Sequence, residues 1–238
     1  MSTPLRVGII GLGARCSIAE NCQVSSVPAE LVGGCDPNPA MRERAREILG
    51  DHPWVESLEE LLDLGIDAAI VTSPDDTHED ITCQLLEAGV GVYLEKPIAI
   101  TIEGADRVLE TAFRTKTPLY VGHNMRHMAV VRILRQVIRD GLIGEVRAIW
   151  CRHFVGNGGD YYFKDWHADR SRTTGLLLQK AAHDIDVMNW LSDSVPERVV
   201  GMGDLMVYGK LTDRSGQRRD SVMSDWFSLD NWPPESLT

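Results

Sequence analysis

Leu5-Arg6-Val7-Gly8-Ile9-Ile10-Gly11-Leu12-Gly13-Ala14-Arg15-Cys16 decides how the chain is read. Apart from Arg6, residues 5–10 are aliphatic or glycine, the pattern of a strand buried on both faces. Glycines follow at once. The first permits a tight turn and the second lets backbone approach a pyrophosphate, whose charge the N-terminus of the next helix favours. The third position of this fingerprint is Cys16 rather than glycine, so helix–strand packing there must accommodate a small thiol. A glycine turn with a purely structural purpose is the competing reading.

The same strand-then-helix pattern recurs outward from this stretch. Residues 5–10, 30–35, 67–72, 90–94 and 119–121 read as strands, and 14–25, 39–49, 57–63, 77–88 and 101–114 as helices. Strand and helix alternating through short connections imply a parallel sheet covered on both sides, a doubly wound α/β domain over residues 1–122. Ligands of such sheets bind beyond the carboxyl ends of the strands. Four turns fall at that edge: Gly11-Leu12-Gly13 with Ala14 and Arg15; Asp36; Thr72-Ser73-Pro74 with His78; and Glu95-Lys96-Pro97. Their convergence on one cleft is the main physical argument for a nucleotide site. Asp36 ends the second strand, where a carboxylate accepts hydrogen bonds from ribose hydroxyls and repels a 2′-phosphate. No arginine stands in Asp36-Pro37-Asn38, which favours NAD over NADP. The alternative is that Asp36 only starts a turn with Pro37.

Beyond residue 122 the pattern changes. A helix is expected over 128–140, a strand over 145–155, irregular chain over 156–172, and a helix from Thr173 or Thr174 to Leu191. A second strand is expected over 198–208, then loop or tail over 210–238. Residues 123–238 thus read as a partial α+β substrate domain. Two strands are marginal alone, so either its sheet borrows strands from another chain or the sequence stops before the domain is complete.

Lys96 stands between an acid and a proline at the end of a buried strand, and Pro97 biases it away from helical angles. A surface Lys–Glu pair is the plain alternative. Gln179, His183, Asp186 and Trp190 recur at helical spacing and share one face of a helix otherwise rich in Leu, Ala, Ile, Val and Met. A polar stripe on a buried helix needs partners, and a substrate hydroxyl is one. Asp186 is placed to orient the His183 ring; the alternative is a core histidine satisfied by that aspartate. His167, in the polar loop 165–170, either lines a pocket or is solvated. His123 and His127 are four apart but lack the glutamate of a zinc motif, and no metal is expected.

Composition narrows the partners. With 35 acidic against 24 basic residues the formal charge is −11, and the basic surface that nucleic acid requires is missing. No apolar run approaches the roughly 18 residues of a membrane span. Five cysteines without a C-x-x-C pair, and a start without a secretory signal, point to the cytoplasm.

Taken together, Gly11-Leu12-Gly13, Asp36, Thr72-Ser73-Pro74 with His78, Glu95-Lys96-Pro97, Gly122-His123-Asn124-Met125-Arg126 and the helix from Gly175 to Leu191 resemble the Gfo/Idh/MocA oxidoreductase family. The resemblance implies a Rossmann domain followed by an α/β domain with a mostly antiparallel sheet. It also implies NAD(P), a small polyol or sugar substrate, and homo-oligomers formed through the C-terminal sheet of the complete protein. By this resemblance Lys96 is the lysine that binds the reacting hydroxyl and the cofactor edge, and His183 moves the hydroxyl proton. Asn124 falls where relatives contact cofactor. Arg126 falls where relatives contact cofactor or substrate and is assigned to the substrate side, as His167 and Gln179 are from their own places in the chain. The family's aspartate four residues before the histidine is replaced by Gln179, and relatives continue beyond this chain with further strands. The expected activity is hydride transfer between a secondary alcohol and NAD(P). A redox-assisted glycosidase or lyase, or a catalytically silent nucleotide-binding remnant, are the alternatives.

Overall fold

The strand β1 (Leu5–Ile10) lies near the middle of a six-stranded sheet in which every neighbouring pair is parallel. The others are β2 (Ala29–Cys35), β3 (Trp54–Val55), β4 (Ala68–Val71), β5 (Gly91–Glu95) and β6 (Leu119–Gly122), in the order β3-β2-β1-β4-β5-β6. The order reverses between β1 and β4, and that switch point is where a doubly wound sheet opens a ligand crevice. The computed structural model describes residues 3–24, 27–155, 162–163 and 165–204. The chain divides into two units, Met1–His123 and Asn124–Thr238.

In the first unit the alternation of buried side chains builds two cores. One sheet face carries Val7, Ile9, Leu31 and Ile70 against Leu12, Cys16, Ala45 and Leu49; the other carries Ile10, Val32, Val71 and Leu94 against Leu61, Leu85 and Leu86. Burying each large aliphatic contributes about 1.5–3 kcal/mol. The helices covering the sheet are α1 (Arg42–Leu49), α2 (Leu58–Asp63), α3 (His78–Glu87) and α4 (Ile102–Thr115). Ser57 and Glu60 form a capping box that starts α2, and Thr101 Oγ1 accepts from Gly104 N–H to start α4.

All five expected strands form, and β3 joins them. At two residues it is too short to show a period, and it exists by pairing Trp54 and Val55 with Gly34 and Cys35 of β2. The segment expected as a helix over 14–25 forms a 3-10 helix, Cys16–Val24. The Asn21 amide donates to Ile18 O at 3.0 Å, competing for a carbonyl that an α-turn would use.

The second unit contains α5 (Ala129–Arg139), a single turn α6 (Arg170–Thr173), a π-helical turn Leu177–Ala181 and α7 (Ala182–Ser192). Three expectations are corrected here. Neither Thr173 nor Thr174 caps the long helix. The Thr173 hydroxyl is buried and donates to Asp169 O at 3.0 Å, while Thr174 has a left-handed backbone with φ 57°. The apolar residues of that helix are not uniformly buried: Leu177 and Ile185 are exposed, whereas Gln179 and His183 are buried. Finally, no strand forms among the described residues of this unit, so the antiparallel sheet is not seen in them. Residues 145–155 and 198–204 run without a ladder, and 205–208 lie outside the described residues. A strand needs a hydrogen-bonded neighbour, and without one Trp150, Phe154 and Val200 face outward.

Candidate nucleotide and active site

At the carboxyl edge of the sheet the four turns are stitched to one another. Gly11 takes φ +88°, and a Cβ there would collide with the backbone of Thr72 and Ser73. Thr72 Oγ1 donates to Gly11 O at 2.7 Å, and Gly11 N–H donates to Cys35 O at 2.9 Å, so the glycine turn is tied to both flanking strands. Leu12 N–H donates to Asp36 Oδ2 at 2.8 Å, and Asn38 N–H to Asp36 Oδ1 at 2.9 Å. Gly13 differs from Gly11: a Cβ there meets nothing within 4 Å, so open space lies over the turn. Such a small residue beside open space suits close approach of a pyrophosphate.

Arg15 reaches across this edge. Its Nη2 and Nε donate to Glu95 Oε1 at 2.6 and 3.2 Å, with the Glu95 side chain 6% exposed. The other oxygen, Glu95 Oε2, accepts from the Lys96 N–H at 3.1 Å. Lys96 is half-buried, and the peptide to Pro97 is cis. His78 is 1% exposed, with Nδ1 2.6 Å from Pro97 O and Nε2 2.9 Å from Ser73 O. It stands behind the two turns and joins them, rather than presenting its ring to a ligand as a cofactor contact would.

Burial holds the Cys35 thiol up at about 11, with Asp36 and then Glu60 adding repulsion to its anion. Burial likewise pushes Tyr93 up to about 12, helped by Glu95 and Tyr120 and opposed by Arg15. Tyr93 and Tyr120 stack with centroids 5.6 Å apart, and the Tyr93 hydroxyl fills the space where Gly122 lacks a side chain. Long-range contacts such as Arg15–Glu95, and the Arg44 Nε donation to Gly13 O at 3.0 Å, leave no periodic trace in sequence.

In the second unit Gln179 and His183, four apart, are 3% and 8% exposed. Both oxygens of Asp186 accept from Arg126, at 2.8 Å from Nε and 2.5 Å from Nη2. The Arg126 guanidinium also stands 5.8 Å from the Trp190 ring, with Arg135 at 5.4 Å. Arg126 therefore braces the helix through Asp186 and Trp190. Asp184 pairs with His153 Nδ1 at 2.9 Å, a contact that sequence spacing did not reveal. His167 stacks on Trp166 at 3.7 Å, and Asn124 opens the 3-10 segment Asn124–His127.

A parallel sheet in this order, with an open glycine turn and an acid closing its second strand, defines a dinucleotide-binding α/β domain. The family model described as "Oxidoreductase family, NAD-binding Rossmann fold" matches residues 5–123, and that of the "GFO/IDH/MocA C-terminal domain" matches residues 131–223. The chain belongs to the Gfo/Idh/MocA oxidoreductase family, and its first unit is an NAD-binding Rossmann domain. It is 28% identical over 222 residues to inositol 2-dehydrogenase of Rhizobium meliloti, covering 92% of this chain and 64% of that protein. Glucose-6-phosphate 3-dehydrogenase of Bacillus subtilis is 30% identical over 200 residues, covering 82% and 56%. The crystal structure of scyllo-inositol dehydrogenase from Lactobacillus casei with bound NAD(H) and scyllo-inositol matches with a TM-score of 0.68 at 25% identity, over 80% of this chain and 57% of that one. The chain thus spans less than two thirds of the length of these relatives. No described helix is long and apolar enough to cross a membrane.

Proposed function

We propose that the chain belongs to an NAD-dependent dehydrogenase acting on a secondary hydroxyl of a sugar, inositol or related polyol. The observation that carries this reading is the stitched strand-end edge, where Gly13 faces open space and the Asp36 carboxylate stands just after β2. NAD, when bound, supplies the hydride acceptor; the chain's own groups supply binding and proton movement. Gly11 to Gly13 hold the pyrophosphate, and Asp36 the ribose hydroxyls. Lys96 lends a positive charge to the reacting oxygen as its proton leaves, so that developing alkoxide is stabilised. His183 accepts that proton, a task suited to an imidazole near neutrality. Gln179, buried one turn earlier on the same helix, is assigned to a substrate hydroxyl, as is His167; Asn124 is assigned to the cofactor. Arg126 acts on the substrate side indirectly, by fixing Asp186.

NADH production is measured against a panel of sugars and inositols for the wild type, Lys96→Ala and His183→Ala. The expected loss in each variant is about 10²–10⁴-fold in turnover, with nucleotide binding retained. Near-native turnover in either variant would remove the role assigned to that residue. Turnover of a glycoside without net NADH would move the reading to redox-assisted elimination.

A further inference from the structure

We infer that His78 is a positioning residue for Lys96, acting through the backbone of Pro97. The assignment rests on the dehydrogenase reading only for the importance of Lys96; the contact itself does not depend on it. Lys96 is bracketed on both sides. Its own N–H is held by Glu95 Oε2 at 3.1 Å, and the carbonyl of the next residue, Pro97, lies 2.6 Å from His78 Nδ1. The second ring nitrogen lies 2.9 Å from Ser73 O, in the turn after β4. His78 opens α3, whose Leu85 and Leu86 are fully buried in the core beneath the sheet. The ring therefore transmits the position of a rigid helix to two loops. Both partners are carbonyl oxygens, which only accept; a neutral ring donates to one of them and a doubly protonated ring to both. With the ring 1% exposed, water cannot readily substitute for either contact.

Holding a reacting group matters because a misplacement of about 1 Å costs roughly 10²-fold in rate. A buried imidazole that only filled space would be replaceable by any side chain of similar size. One that fixes Pro97 would be replaceable only by a side chain with a donor in the place of Nδ1.

The two amide substitutions separate these cases. In His78→Asn the amide nitrogen falls near the place of Nδ1 and retains a donor toward Pro97 O; in His78→Gln it falls near Nε2 and retains one toward Ser73 O. Acetic anhydride labelling of the wild type and both variants, read by mass spectrometry, gives the reactivity of Lys96 relative to the exposed Lys116. The melting temperature is recorded in parallel. Expected is a Lys96 labelling ratio near wild type in His78→Asn and shifted by about threefold or more in His78→Gln, at similar melting temperatures. On any alcohol that the wild type oxidises, His78→Gln should lower kcat by roughly 10–100-fold while KM stays nearly fixed, and His78→Asn should recover most of it. In a Lys96→Ala background the Gln substitution should cost little more. Equal labelling of Lys96 in all three proteins, or changes that only follow melting temperature, would overturn the assignment. Labelling needs no turnover, so an inactive wild type would count against the dehydrogenase reading and leave this test intact.

Discussion

The carboxylate of Asp36 and the amide of Leu12 face each other across the end of β2, with the Leu12 N–H donating to Oδ2 at 2.8 Å. Asn38 N–H holds the other oxygen, so the side chain is fixed before any nucleotide arrives. Each hydrogen bond from a ribose hydroxyl to a preset charged acceptor contributes about 1.5–3 kcal/mol, and the same charge repels a 2′-phosphate. Asp36→Asn keeps the shape, removes the charge, and leaves one oxygen to accept from the two facing N–H groups. The expected outcome is a fall of about tenfold or more in the ratio of NADH to NADPH affinity, read by fluorescence titration of both nucleotides. An unchanged ratio would mean that Asp36 closes a turn and nothing more.

Gly11 and Gly13 make opposite predictions. Gly11 combines φ +88° with a Cβ position already occupied by Ser73 backbone, so Gly11→Ala must move β4 or the turn. Its cost should be about 2–4 kcal/mol in urea unfolding. At Gly13 a Cβ enters only open space, so Gly13→Ala should melt like the wild type. It should nevertheless weaken NAD binding by at least about tenfold if a pyrophosphate lies where the methyl would stand. Calorimetric titration of a normally folded Gly13→Ala protein decides this, and undiminished affinity would place the phosphates elsewhere.

What could be read from the sequence was what repeats or what sits next to its neighbours. The aliphatic runs around Val7, Leu31 and Ile70 announced buried strands, and Gly11, Asp36, Thr72 and Glu95 could be assigned to one edge because each ends such a run. β3 escaped because Trp54 and Val55 are too few to show alternation. Arg15–Glu95 and His78–Pro97 escaped because a contact between distant positions follows from the folded sheet and not from spacing. The second unit was less legible. The run at 145–155 has strand composition, but composition cannot supply a pairing partner. On the helix after Gly175, the polar stripe at Gln179 and His183 was visible. The engagement of Asp186 by Arg126 was not, since it depends on a turn sixty residues earlier.

The Arg15–Glu95 pair joins a half-exposed guanidinium to a buried carboxylate. Removing only the cation leaves that carboxylate without its strongest partner, which costs more than the pair itself contributes. Arg15→Gln is expected to lower stability by about 1–3 kcal/mol. Adding Glu95→Gln should recover part of the loss, and a double-mutant cycle in urea measures the coupling. Additive effects within about 0.5 kcal/mol would show that the two side chains act independently.

Alkaline pH should loosen the first unit. Cys35 and Tyr93 are acids whose protons the folded chain holds more firmly than the unfolded chain does, chiefly because burial penalises their anions. An unfolded chain releases the thiol proton near 9.0, whereas the folded chain holds it to about 11. The stability that this difference supplies is complete below pH 9, declines as pH rises, and is gone above about 11. Tyr93 adds a second window between 10 and about 12. Unfolding free energy measured in urea from pH 8 to 11 should therefore fall more steeply in the wild type than in Cys35→Ala, which has no thiol to titrate. Asp36→Asn should also flatten the slope, because the Asp36 charge is the next largest influence on that thiol after burial. Identical slopes for wild type and Cys35→Ala would mean that the Cys35 proton leaves as readily from the folded chain as from the unfolded one.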